Sequence, residues 1–245
     1  MSPQNLSEHI RAVRARMTRA AVQAGRSAQS VTLLAVSKAQ PAPMVRAAAS
    51  CGLGDFGESY LQEALEKLAA LRDLPLTWHF VGRLQSNKTG PVAESFAWVH
   101  AVDRLKLAER LAAQRPAQAA PLNLCLQVNL AGESSKGGVT PAELPALAAA
   151  VASLPRIRLR GLMCIPPEEA DPERQRAWFR QLRQLFVALN EGGARLDTLS
   201  MGMSGDFEAA ILEGATLVRI GTALFGPRPA RSANRTGDTG SKDTG

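Results

Sequence analysis

Apolar positions first recur at helical spacing: Leu6, Ile10, Val13, Met17, Ala20 and Ala24 lie three or four residues apart, on one face of a helix. Ser2 and Pro3 suit an N-cap and a first helical position, and Gly25 suits the stop. From Val31 onward, short apolar runs alternate with amphipathic stretches. The runs predict strands over 31–37, 55–58, 78–82, 98–102, 122–129, 159–165, 196–202 and 216–220. The stretches between them predict helices over 41–51, 60–71, from about Ser86, 104–114, after Thr140, 172–189 and 206–213, with a short helix closing the series. The runs are nearly continuous in apolar residues, as expected of strands buried on both faces. Strict alternation of strand and helix implies a parallel sheet. Eight such units in 245 residues, close to the roughly 250 of one barrel, predict the α/β class. The expected fold is a (β/α)8 TIM barrel with an extra N-terminal helix; an open doubly wound sheet is the alternative. One domain is expected over residues 1–230. Residues 231–245 are polar and lack apolar anchors, so a disordered tail is expected there.

Composition changes this picture little. Hydrophobic residues at 45% and charged residues at 21% are enough for a globular core. The net charge of +7 raises the question of a nucleic-acid partner. Five arginines (Arg11, Arg14, Arg16, Arg19 and Arg26) against Glu8 place +4 of that charge in the first 26 residues, on the amphipathic helix. That distribution reads as a solvated helix face, so no nucleic-acid partner is expected. Cys51, Cys125 and Cys164 form no CxxC pair and are odd in number, which argues against a disulfide framework. No run reaches the 18 or so apolar residues of a membrane span, and no signal-peptide core stands near the start. A cytoplasmic protein with no membrane partner is expected.

In a barrel of this kind, reactive groups gather at the C-terminal ends of the strands. Lys38 follows the first strand, Glu58 ends the second, His79 lies in the third and Asn129 ends the fifth. Lys136 falls in the loop after the fifth strand. Gly202-Met203-Ser204-Gly205 follows the seventh, and Arg219-Ile220-Gly221-Thr222 closes the eighth. The last two loops offer backbone N–H groups, hydroxyls and helix N-termini to an anion. A phosphate site after strands seven and eight is a recurrent feature of barrels. A lysine amine facing such a site suggests a Schiff base with a phosphorylated aldehyde. His79 has two readings, a hydrogen-bonded core histidine or a proton carrier, and no second histidine is near it in sequence, which argues against a metal.

The chain resembles the pyridoxal phosphate homeostasis protein family, single-domain barrels similar to the N-terminal domain of alanine racemase. The resemblance runs from about Leu6 to Gly226. It is carried by Ala35-Val36-Ser37-Lys38, Phe56-Gly57-Glu58-Ser59-Tyr60, the stretch from Trp78 to Lys88, Val128-Asn129 with Lys136, and Gly161-Leu162-Met163. The stretches 199–204 and 218–226 complete it. It implies that Lys38 holds pyridoxal 5′-phosphate (PLP) as a Schiff base. It also implies that Ser204, Gly221 and Thr222 contact the phosphate, and that Arg219 faces the pyridine nitrogen. A cation there keeps that nitrogen unprotonated and the ring a weaker electron sink. Met203, Asn129 and His79 complete the expected cofactor-binding set; no catalytic residue and no metal ligand is assigned. Ser59 stands where the family commonly has Asn, and Gln40 where a second lysine often follows. The implied function is PLP binding in vitamin B6 and amino-acid homeostasis, in a monomer whose partners are PLP and PLP-dependent apo-enzymes. A PLP-dependent amino-acid racemase is the alternative. The only tyrosine is Tyr60, early in the chain.

Overall fold

The computed structural model describes residues 3–133 and 137–227. Helix α1 (Pro3–Gln23) buries Leu6, Ile10, Val13, Met17 and Ala20, as their spacing predicts. Gly25, at φ +67°, ends that helical segment in the left-handed region. The barrel then follows as β1 (Thr32–Val36), α2 (Ala42–Ser50), β2 (Asp55–Glu58), α3 (Leu61–Ala70), β3 (Thr77–Phe80), α4 (Thr89–Ser95), β4 (Trp98–Val102) and α5 (Leu105–Gln114). Its second half comprises β5 (Leu122–Gln127), α6 (Leu144–Ala152), β6 (Ile157–Met163), α7 (Pro172–Glu191), β7 (Thr198–Ser200), α8 (Phe207–Leu212), β8 (Leu217–Ile220) and α9 (Thr222–Phe225).

The eight strands are parallel and close in sequence order, with β8 returning to β1. This settles the choice between closed barrel and open sheet. Helix α1 packs across α8, α9 and α2 outside the barrel. It is fastened by Arg14 to Gly52 O at 2.7 Å, by Arg26 to Ala215 O at 2.8 Å and by Arg16 to Glu208 at 2.6 Å. Three of the basic residues counted on this helix segment are therefore engaged with the fold. The main apolar core lies between barrel wall and helices. A smaller interior cluster joins Ala101, Cys125 and Met163 beside Trp98. The expected tail over 231–245 lies outside the described residues. Among the described residues no helix is long and apolar enough to cross a membrane.

Candidate functional site

Lys38 sits in the turn after β1, half-buried, between two tightly held neighbours. On one side, Ser37 Oγ donates to Glu58 Oε1 at 2.6 Å, and Ser37 O accepts from Lys67 Nζ at 2.7 Å. On the other, Ala39 N donates to Glu63 Oε1 at 2.6 Å. Lys67 joins the two sides by donating to Glu58 Oε1 at 2.8 Å and Glu63 Oε1 at 2.6 Å. Ala39 is held at φ +62°, a left-handed conformation that costs a non-glycine residue roughly 1–2 kcal/mol. The lysine is thus presented from a turn whose backbone is pinned from β2 and α3. Glu58 is fully buried, and burial pushes its carboxyl above the usual carboxylate range against the pull of Lys67 and Ser37. Among the described residues Glu58 Oε2 has no hydrogen-bond partner.

Beside Lys38 the structure brings together much of the predicted phosphate site. A cavity of about 30 Å³ is lined by Val36, Lys38, Gly221, Thr222, Phe225 and Gly226. Ser204 joins the same group by accepting from Ala223 N at 3.2 Å, which ties the loop after β7 to the start of α9. The hydroxyl proton of Ser204 remains available to donate. Helix α9 has only four residues, so of the groups expected to meet an anion there the backbone N–H groups and hydroxyls stand out over a helix N-terminus. Gly202 makes the β7 loop possible at φ +93°, where an added Cβ would lie 2.6 Å from Ala210 Cβ and 2.9 Å from Phe207 Cα. Asp206 steadies the loop by accepting from Met203 N, leaving the Met203 side chain exposed.

Arg219 lies deeper, 5% exposed. It donates to Ser200 O at 2.5 Å, Ser200 Oγ at 2.9 Å and Cys164 O at 2.9 Å. Burial pulls its pKa down from the ordinary arginine value. Cys125 and Cys164 are equally buried and their thiols are pushed up to about 12, so they are core residues and not nucleophiles, as their apolar strands predict.

Two of the expected cofactor-binding residues make hydrogen bonds within the protein. His79 bonds Asp55 Oδ1 through Nε2 at 3.1 Å and His100 Nε2 through Nδ1 at 3.0 Å. Both ring nitrogens are committed, which leaves no polar atom for a cofactor and favours the core-histidine reading. No second histidine is near it in sequence, but the pairing of β3 with β4 brings His100 beside it in space. The two rings hydrogen-bond to each other, and among the described residues no group of three or more His, Cys, Asp or Glu could hold a metal. Asn129 Nδ2 donates to Glu133 O at 2.9 Å and so serves its own loop. Lys136 lies outside the described residues. Gln40 is buried, and its N–H closes the Lys38 turn onto Ser37 O at 3.0 Å. A larger cavity, about 830 Å³, lies between α6 and α7 and includes neither Lys38 nor the expected phosphate loops.

Sequence reasoning missed Lys67, Glu63, His100 and Asp55. Lys67 reads as an exposed helix charge four residues after Glu63, and only the strand-to-helix packing turns it inward. His100 is signalled weakly, as a lone polar residue inside the apolar run of β4.

Residues 8–229 match the family described as alanine racemase, N-terminal domain. The pyridoxal phosphate homeostasis protein of Pseudomonas aeruginosa is 62% identical over 223 residues, covering 91% of this chain and 96% of that protein. The Escherichia coli protein of the same name is 49% identical, covering 91% and 97%. The solved structure of PipY from Synechococcus elongatus with PLP bound is 40% identical, with a TM-score of 0.81 over 90% of this chain and all of that one. Alanine racemase from Corynebacterium glutamicum shares the fold at 18% identity, with a TM-score of 0.65 over 94% of this chain and 62% of that one. The chain belongs to the pyridoxal phosphate homeostasis protein family, within the wider group built on the alanine racemase N-terminal domain.

Proposed function

We propose that this chain binds PLP as a Schiff base on Lys38 and serves vitamin B6 and amino-acid homeostasis. The observation that carries this reading is the pinned Lys38 turn sharing one cavity with Gly221 and Thr222. When bound, PLP supplies an aldehyde carbon conjugated to an electron-withdrawing ring. Lys38 would supply the amine that holds the aldehyde carbon. Ser204, Thr222 and the Gly221 backbone hold the phosphate. Arg219, a fixed cation, faces the pyridine nitrogen and keeps it unprotonated. We read the protein as a monomer that exchanges PLP with apo-enzymes in the cytoplasm, where Cys51, Cys125 and Cys164 stay as free thiols.

The phosphate assignment predicts a selective loss. Ser204→Ala combined with Thr222→Val is expected to weaken PLP binding by about 1.5–3 kcal/mol for each hydrogen bond to the charged group. Binding of unphosphorylated pyridoxal should change little. Titration of both ligands checks this; equal losses for the two would move the phosphate to other residues.

A further inference from the structure

The barrel interior holds a continuous polar chain from one end of β2 to Arg219. Asp55 Oδ1 meets His79 Nε2 at 3.1 Å, and His79 Nδ1 meets His100 Nε2 at 3.0 Å. His100 Nδ1 meets Ser200 Oγ at 2.8 Å, and Ser200 Oγ meets Arg219 Nη1 at 2.9 Å. Four strands contribute to the links between Asp55 and Ser200, and His100 reaches Ser200 across the lumen from β4 to β7. His79, His100 and Ser200 are at most 1% exposed. Barrel interiors are ordinarily filled by branched apolar side chains, so this chain of polar groups calls for a role.

Its two ends fix the direction of every bond. A guanidinium only donates and a carboxylate only accepts. Ser200 Oγ accepts from Arg219, so its own proton goes to His100 Nδ1. His100 then carries its proton on Nε2 and donates to His79 Nδ1. His79 carries its proton on Nε2 and donates to Asp55. The reverse order would strand the Ser200 hydroxyl proton in the interior and aim a ring lone pair at the carboxylate. Burial lowers the pKa of both histidines; Asp55 opposes it at His79 without reversing it, and at His100 the neighbouring His79 and Arg219 lower it further. Around the pair, Trp98 stacks on His79 at 5.4 Å, and Arg160 lies 4.7 Å from the Trp98 ring while paired with Asp197.

We propose that Asp55, His79, His100 and Ser200 are positioning residues for Arg219, holding its guanidinium in one orientation toward the PLP ring through a single tautomeric order. The chain is not a proton relay, because its last member cannot take up a proton. Together with Cys164 O, Ser200 engages three of the five guanidinium N–H groups, and the remaining two have no protein acceptor among the described residues. The orientation toward the ring rests on the proposed PLP site; the tautomeric order does not.

Nitrogen NMR of the full-length protein labelled with 15N-histidine tests the order directly at pH 7, with and without PLP. His79 and His100 are both expected as neutral Nε2–H tautomers. His9 is the internal contrast, because its Nδ1 must donate to Leu224 O at 3.0 Å. A doubly protonated or Nδ1–H ring at either interior position overturns the chain. Substitution then tests its action on Arg219. His100→Leu removes both links, whereas His100→Gln supplies one acceptor and one donor. His100→Leu is expected to weaken PLP binding roughly tenfold, the scale of one charge-assisted hydrogen bond, and to shift the absorption maximum of bound PLP. His100→Gln should stay within about threefold of wild type and keep its maximum, since a neutral hydrogen-bond swap is a small perturbation. Should His100→Leu fail to fold, Ser200→Ala takes its place. Equal behaviour of the broken and restored variants overturns the positioning role. A wild-type protein that carries no PLP on Lys38 would instead overturn the cofactor reading, with the tautomer result still standing.

Discussion

Replacing Lys67 by methionine is expected to destabilise the protein by about 3–5 kcal/mol, the cost of leaving one member of a buried ion pair alone. At roughly 2–4 °C per kcal/mol for a chain of this size, Tm should fall by about 6–20 °C. The Lys67 side chain is 5% exposed and that of Glu58 0%, so solvent cannot replace the lost partner. Ser37 O loses its donor as well. The loss should narrow as the pH falls, because a protonated Glu58 has no charge to strand. Adding Glu58→Gln should recover part of the loss, since contacting residues are not additive. Because the same ammonium braces both sides of the Lys38 turn, PLP affinity should fall together with stability. Denaturant unfolding of the single and double variants checks this. A Lys67→Met protein within about 0.5 kcal/mol of wild type, the ordinary scale of a surface change, would show that the network is not holding the turn.

The second large effect is expected at Gly202. An alanine there must adopt a left-handed backbone and place its Cβ 2.6 Å from Ala210 Cβ and 2.9 Å from the Phe207 backbone. The conformational and steric terms together are about 2–4 kcal/mol. The loop that carries Met203 and Ser204 has to move to relieve the clash, so PLP binding should weaken as well. Gly205→Ala is the control: nothing lies within 4 Å of a Cβ there, and the expected change is about 0.5 kcal/mol or less. Thermal unfolding of the two variants separates them; equal stability would mean that the loop has other ways to turn.

Element order was legible because barrel strands, buried on both faces, stand out as short apolar runs between amphipathic helices. The ends were less legible, for local reasons. The strand read over 196–202 contracts to Thr198–Ser200, because Gly202 turns the chain and Asp197 pairs with Arg160 at the surface. The strand read to 129 stops at Gln127, where Val128 and Asn129 turn to meet Val139. The helix read from Ser86 begins as a short 3-10 turn over Ser86–Lys88 before α4. Lys38, Ser204, Gly221 and Thr222 were visible because each follows a strand and so falls at one end of the barrel. The bracing around them was not. It depends on which faces of β2, α3, β3 and β4 meet, and neither the i,i+4 pair Glu63–Lys67 nor the lone His100 discloses that in one sequence. His79, expected in the cofactor-binding set, has both ring nitrogens bonded inside the lumen, to His100 and Asp55.

Borohydride reduction of the purified protein loaded with PLP, followed by digestion and peptide mapping, tests the central claim most directly. A single pyridoxyl group on Lys38 is expected, with loss of the absorption of the bound cofactor. An adduct on Lys88 or Lys136 with Lys38 unmodified, or no adduct at all, would contradict it.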